Sequence, residues 1–199
     1  MSLLFSLIKI FSVPIIIVNM LGTIVAGIWL AILGEWGLLA QGGIALIVSP
    51  WLLAILLLPN MGLSAISAKL FKKNGIHKIV GLVVAFLGSI YVSVIIIVWC
   101  LTSLNHFLTQ ATHSSFIPLL IWSYDVATGP WAYFAAKEGP ESFASSNSAF
   151  FTQLGYIAVV IAIYFFQINL YDALIIMCIT MALEIFISFT AAIKLLQAE

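Results

Sequence analysis

The chain has 199 residues, 64% hydrophobic and 7% charged, with a formal net charge of zero and a mean hydropathy of +1.24. A water-soluble domain carries roughly a quarter of its residues charged, so this composition excludes one. Backbone polar groups in lipid must pair internally, which leaves helices or a closed barrel. Runs such as IVGLVVAFLGSIYVSVIIIVWC lack the period-two alternation of barrel strands. The expected fold class is therefore all-α: a polytopic membrane helical bundle of about six hydrophobic segments, forming a single transmembrane domain over 1–199.

The opening MSLLFSLIKIFS has Lys9 as its one positive charge and leads straight into a full-length apolar run, so no cleavable signal peptide is expected. A span needs about 20 apolar residues. The first is expected over 14–34 and the second over 37–58, a tight hairpin with Glu35 and Trp36 at its turn. Span one places Asn19 within the membrane. It also carries two small-residue sets, Gly22 with Ala26 and Thr23 with Gly27 and Ala31, which let helix backbones approach closely.

Residues 59–78, MGLSAISAKLFKKNGIHK in their greater part, form a basic amphipathic segment. Leu63, Ile66 and Leu70 share one side with Phe71 beside them, Lys69, Lys72 and Lys73 lie toward the other, and Asn74-Gly75 supplies a helix stop. Such a helix is expected in the headgroup plane, its lysines, with Lys78 nearby, facing lipid phosphates or a soluble partner. The third span, 79–104, repeats Gly81, Ala85, Ser89 and Ser93 every four residues, a ribbon suited to packing within one subunit or between subunits.

The fourth segment, 116–136, is ambiguous. IWSYDVATGPWAYFAA carries Asp125 and a Gly-Pro break, so it reads either as a kinked span or as a re-entrant or flat-lying segment. Trp122, Tyr124, Trp131 and Tyr133 suit the headgroup interface of the second reading. The fifth and sixth spans are expected over 150–168 and 171–195, joined by a turn at Asn169 with Asp172 beside it. Glu184 lies well inside span six. Thr180 and Ser188 are one turn away, and Asn19 at similar depth is a partner across helices. Glu184 is then either neutral interhelical glue or part of an ion path shared with Asp125.

All basic residues are lysines, and their placement orients the chain. Lys69, Lys72, Lys73 and Lys78 put the 59–78 segment in the cytoplasm, and the N-terminus with Lys9 on the same side. If 116–136 spans, Lys137 and Lys194 join them and both termini are cytoplasmic. No catalytic motif, phosphate loop or dinucleotide fingerprint is present, so no enzymatic activity and no cofactor are expected. Cys100 and Cys178 fit no metal spacing. His77, His106 and His113 lie in loops without a carboxylate or cysteine to complete a site, so no metal site is expected either.

Two function classes remain: an oligomerising membrane subunit that senses a membrane or extracytoplasmic event and docks a cytosolic partner, or a small channel or transporter using Asp125 and Glu184. In size, multi-span build, lack of catalytic motifs and the basic stretch AKLFKKNGIHK, the chain resembles the membrane subunit of the bacterial Kiwa anti-phage system. That resemblance implies a sensor in the bacterial inner membrane that assembles with a soluble, DNA-binding partner without itself binding nucleic acid; it transfers no site residue. The partners expected are thus membrane lipids, further copies of the chain and a soluble cytosolic protein.

Overall fold

A computed structural model of the chain describes residues 2–73, 75–138 and 143–198, and the side chains within 17–73, 75–130, 150–190 and 193. The six helices are α1 (Ser2–Ile32), α2 (Trp36–Phe71), α3 (Ile76–Leu108), α4 (Phe116–Glu138), α5 (Phe143–Phe166) and α6 (Leu170–Ala198), with no strand among the described residues. Among the described residues, three stretches are long and apolar enough to cross a membrane: α2, α3 and Leu170–Thr190 of α6. Their outward faces are covered with exposed Ile, Val, Leu, Trp and Phe, among them Ile47, Trp51, Ile79 and Phe186. The fold is an all-α membrane bundle whose apolar surface faces outward as well as inward.

The ambiguous fourth segment is the centre of the bundle. It packs against α1, α2, α3 and α5, and from Pro118 to Pro130 it is buried or half-buried throughout. Its low apolarity follows from this position, because a helix wrapped by protein need not dissolve in lipid. Trp122 is buried and Tyr124 is half-buried, so neither is an interfacial anchor. The helix runs unbroken through Pro130 for 23 residues, about 35 Å.

Hydrogen bonding explains how the proline is accommodated. Pro130 has no N–H, so the carbonyl of Val126 loses its helical donor. The indole Nε1 of Trp99 on α3 donates to that carbonyl at 3.2 Å. Pro50 in α2 orphans the carbonyl of Leu46 in the same way, and the hydroxyl of Ser49 reaches it at 3.5 Å. Near Pro59, the Tyr91 hydroxyl donates to the Leu56 carbonyl at 2.7 Å. The gaps left by Pro130 and Pro50 are thus each met from a side chain, as lipid requires.

The 59–78 segment differs from its expected form. Residues 59–71 continue α2 through Pro59 to Phe71, and they stand along the first turns of α3 instead of lying alone in the headgroup plane. Ser67 donates to the Gly81 carbonyl at 2.9 Å, and a Cβ on Gly88 would meet Asn60 Oδ1 at 2.8 Å. The side bearing Leu63, Ser67 and Leu70 therefore covers α3, while Ile66 stays exposed. Gly75, at φ 71, turns the chain into α3. Asn74 lies outside the described residues, as do the side chains of Lys9, Trp131, Tyr133, Lys137 and Lys194.

The other turns are closed locally. Gly34, at φ 74, ends α1, with Glu35 N–H bonding back to the Leu30 carbonyl at 3.0 Å. Asn169 caps α6 by accepting from the N–H groups of Tyr171 and Asp172 at 2.8 and 3.0 Å.

Replacing Trp99 with Phe should destabilise the bundle by about 1–3 kcal/mol, since it strands the Val126 carbonyl in an apolar setting. Adding Pro130→Ala should recover most of that loss, because residue 130 then supplies the missing N–H. A double-mutant cycle on thermal stability in detergent checks this; strictly additive effects would refute the repair.

Candidate functional site

Two regions stand out, a polar cluster where α1 meets α4 and a basic tip where α2 turns into α3. The cluster forms because one face of α1 is small or polar: Asn19, Gly22, Thr23 and Ala26 point toward α4, with the buried Leu30 continuing that face, while their neighbours face outward. A Cβ on Gly22 would lie 3.2 Å from Ile121, and Ala26 is fully buried. At this close approach the Thr23 hydroxyl donates to Asp125 Oδ2 at 2.5 Å, and Asn19 Nδ2 donates to Thr128 Oγ1 at 3.3 Å. Asp125 is 2% exposed and Asn19 7%. The pairs 19–128 and 23–125 run antiparallel, one helical turn apart.

Trp122 holds this junction in place. Its ring sits over Gly42 of α2, where an added Cβ would collide with the ring carbons, and beside Gly27 of α1. Its indole N–H donates to the Thr23 carbonyl at 3.2 Å. The α1–α2 hairpin is therefore not packed on itself throughout; α4 is wedged into it. On the other side of α4, the Tyr124 and Tyr156 rings meet tilted at 49°, their centroids 5.7 Å apart.

Glu184 belongs to a different interface. It is 5% exposed on α6, which packs against α5 and α3. Ser188 donates to its Oε1 at 3.1 Å. Thr180 instead donates to the carbonyls of Ile176 and Met177, each at 3.0 Å, and Asn19 is engaged on α4. The expected partnerships of Glu184 with Thr180 and Asn19 are replaced by these, because helix α1 meets α4 and not the buried face of α6.

The ribbon of α3 is divided. Gly81 and Ser93 are buried, whereas Ala85 and Ser89 are half-buried, since a strict four-residue step drifts around a helix of 3.6 residues per turn. Gly88, seven residues after Gly81, is the position that keeps register with α2. Gly42, Gly88 and Gly155, whose Cβ would collide with Thr180 Oγ1, escaped the sequence reading. They are isolated close approaches, not repeats, and their only signal is glycine inside an apolar helix.

At the basic tip Lys69, Lys72, Lys73 and His77 are exposed and Lys78 is half-buried. Neither α2 nor α3 contains an aspartate or glutamate. His77 and His106 lie in the first and last turns of α3 and not in loops as expected, and His106 and His113 are exposed at the end of α3 opposite the lysines; among the described residues no group of three or more His, Cys, Asp or Glu could hold a metal ion. Comparisons with protein-family models, curated proteins and solved structures each return no match.

Gly42→Ala should cost about 1–3 kcal/mol by overpacking and displace Trp122 from its seat. Combined with Trp122→Leu, which empties that seat, the alanine should add little further loss. Thermal unfolding of both variants tests this, and an undiminished Gly42→Ala effect in the double variant would contradict the wedge.

Proposed function

We propose that this protein is a non-enzymatic, multi-span membrane subunit that docks an acidic cytosolic partner on the basic α2–α3 tip and relays to it a membrane or extracytoplasmic event. The observation that carries the reading is the charge distribution of that hairpin: four lysines gathered at one turn of two helices that hold no acid. Helices of 36 and 33 residues measure about 54 and 50 Å, so they exceed the roughly 30 Å hydrocarbon core and bring the lysines to its edge. Each lysine there contributes about 1 kcal/mol against an anionic surface. A carboxylate-rich partner competes for the same charges, and its docking exchanges lipid for protein at the tip.

The resemblance to the Kiwa membrane subunit supports the same reading, that of a sensor in a bacterial inner membrane acting with a soluble partner in anti-phage defence. Further copies of the chain against the exposed apolar faces belong to this proposal. The alternative, a channel or transporter with a path shared by Asp125 and Glu184, is less favoured because those two acids occupy different helix interfaces.

Six spans with both termini cytoplasmic also follow from the proposal. With Cys100 and Cys178 replaced, an impermeant thiol reagent added outside intact cells should label Ser114→Cys and leave Ser145→Cys unlabelled. Labelling of both would put the two ends of α4 on one side of the membrane.

The docking itself is tested by replacing Lys69, Lys72 and Lys73 with Gln. The triple variant should stay folded yet lose most of the partner that co-purifies from native membranes, and raised salt should strip the partner from the unaltered chain. A partner retained by the triple variant at every ionic strength would overturn the proposal.

A further inference from the structure

The α2–α3 hairpin carries more outward apolar surface than a bilayer covers. On α3, Ile76, Ile79, Val83, Leu87, Ile90 and Val94 are all exposed, and their steps of three and four residues form one outward stripe. The stripe runs unbroken to the first residue of the helix. On α2, exposed aliphatic side chains begin at Ile44 and continue to Ile66. Ser67 meets Gly81, so this exterior can be followed down α2 from Ile44 to Ser67 and on along α3 from Gly81 to Ile76. That path measures about 42 Å, against a hydrocarbon core of roughly 30 Å.

Tilting the hairpin alone cannot absorb the excess. Trp99 ties α3 to the Val126 carbonyl and Trp122 sits on Gly42 of α2, so the hairpin tilts only together with α4. The 23 residues of α4, about 35 Å, already match an upright span. Nor can the end of the hairpin far from the lysines sink inward. Gln41 of α2 and Asn105 and His106 of α3 are exposed there, and hydrocarbon offers them no hydrogen bonds. The basic tip is the adaptable end. Lys69, Lys72 and Lys73 are exposed, and their apolar stems let the ammonium groups reach the phosphate layer from more than one depth.

We propose that the apolar side of this tip, Ile66, Ile76, Ile79 and Val83, is a gauge of bilayer thickness whose occupant is lipid acyl chain. A thick bilayer covers these residues, as a continuation of the lipid-facing stripe above them. A thinned bilayer uncovers them, because the mismatch is taken up at this end. The inference names the membrane event of the docking proposal and rests on that proposal for its consequence: thinning presents bare isoleucines and lysines together to the cytosolic partner.

The test uses lipid and the full chain only. With Cys178 replaced by Ala, Ile76→Cys is labelled with the environment-sensitive fluorophore NBD; Cys100 is buried, and the parent without Ile76→Cys checks that it stays unlabelled. The protein is reconstituted in dimyristoleoyl, dioleoyl or dierucoyl phosphatidylcholine, in order of increasing thickness, each with the same fraction of phosphatidylglycerol. The tip emission should move stepwise to the red as the bilayer thins, whereas a probe at Asn105→Cys should move little. Adding Ile79→Ser and Val83→Ser, both at exposed positions, should leave the tip probe red in all three lipids. A tip emission equal in all three bilayers, or shifting no more than the Asn105 probe, would overturn the gauge; red throughout would assign the cover of the tip to protein. No partner takes part in these measurements, so the docking proposal can fail its co-purification test while the gauge stands.

Discussion

Inside a membrane the lipid supplies no hydrogen bonds, so a helix that carries polar groups has to be surrounded by the rest of its own chain. In this protein that helix is α4. Ser123, Asp125, Thr128 and the proline-orphaned Val126 carbonyl all lie on it, and each finds a contact on the same or an adjacent helix. The arrangement of α1, α2, α3 and α5 around it follows from this need. The helices whose polar content is slight, α2 and α3, are the ones left with broad apolar faces outward.

Lipid tails are as apolar as leucine, so helices in a bilayer gain little from merely hiding hydrophobic surface. Cohesion then comes from close contact and from interhelical hydrogen bonds. Trp122 does both, filling the space over Gly42 and Gly27 while bonding the Thr23 backbone. Ser67 on Gly81, Asn60 against Gly88 and Thr180 against Gly155 repeat the theme at other interfaces. Glycine at these points removes the side chain that would hold the backbones apart.

The two candidate regions divide labour between the ends and the interior of the bundle. One end of the α2–α3 hairpin concentrates positive charge, whereas Glu35 and Asp172 mark turns between other helix pairs. The interior holds a single carboxylate at the α1–α4 contact and another on the buried face of α6. A partner on the lysines would act on a hairpin that packs against the centre of the bundle.

How much of this was legible in advance depended on the range of the interactions. Composition and the length of apolar runs determined the helical membrane class and roughly where the six helices lie, because solvation by lipid acts on each segment separately. The lysine cluster and the turns at Gly34, Gly75 and Asn169 are local features and were visible for the same reason. The small-residue face of α1 was readable from its spacing, but its partner was not. That 116–136 is the central helix, that Trp99 repairs the gap at Pro130, that α2 runs on through Pro59, and that Asn19 faces Thr128 and not Glu184 were decided only by the tertiary structure. Each depends on which distant helix supplies a donor or a cavity, and spacing along one helix carries no record of its neighbour.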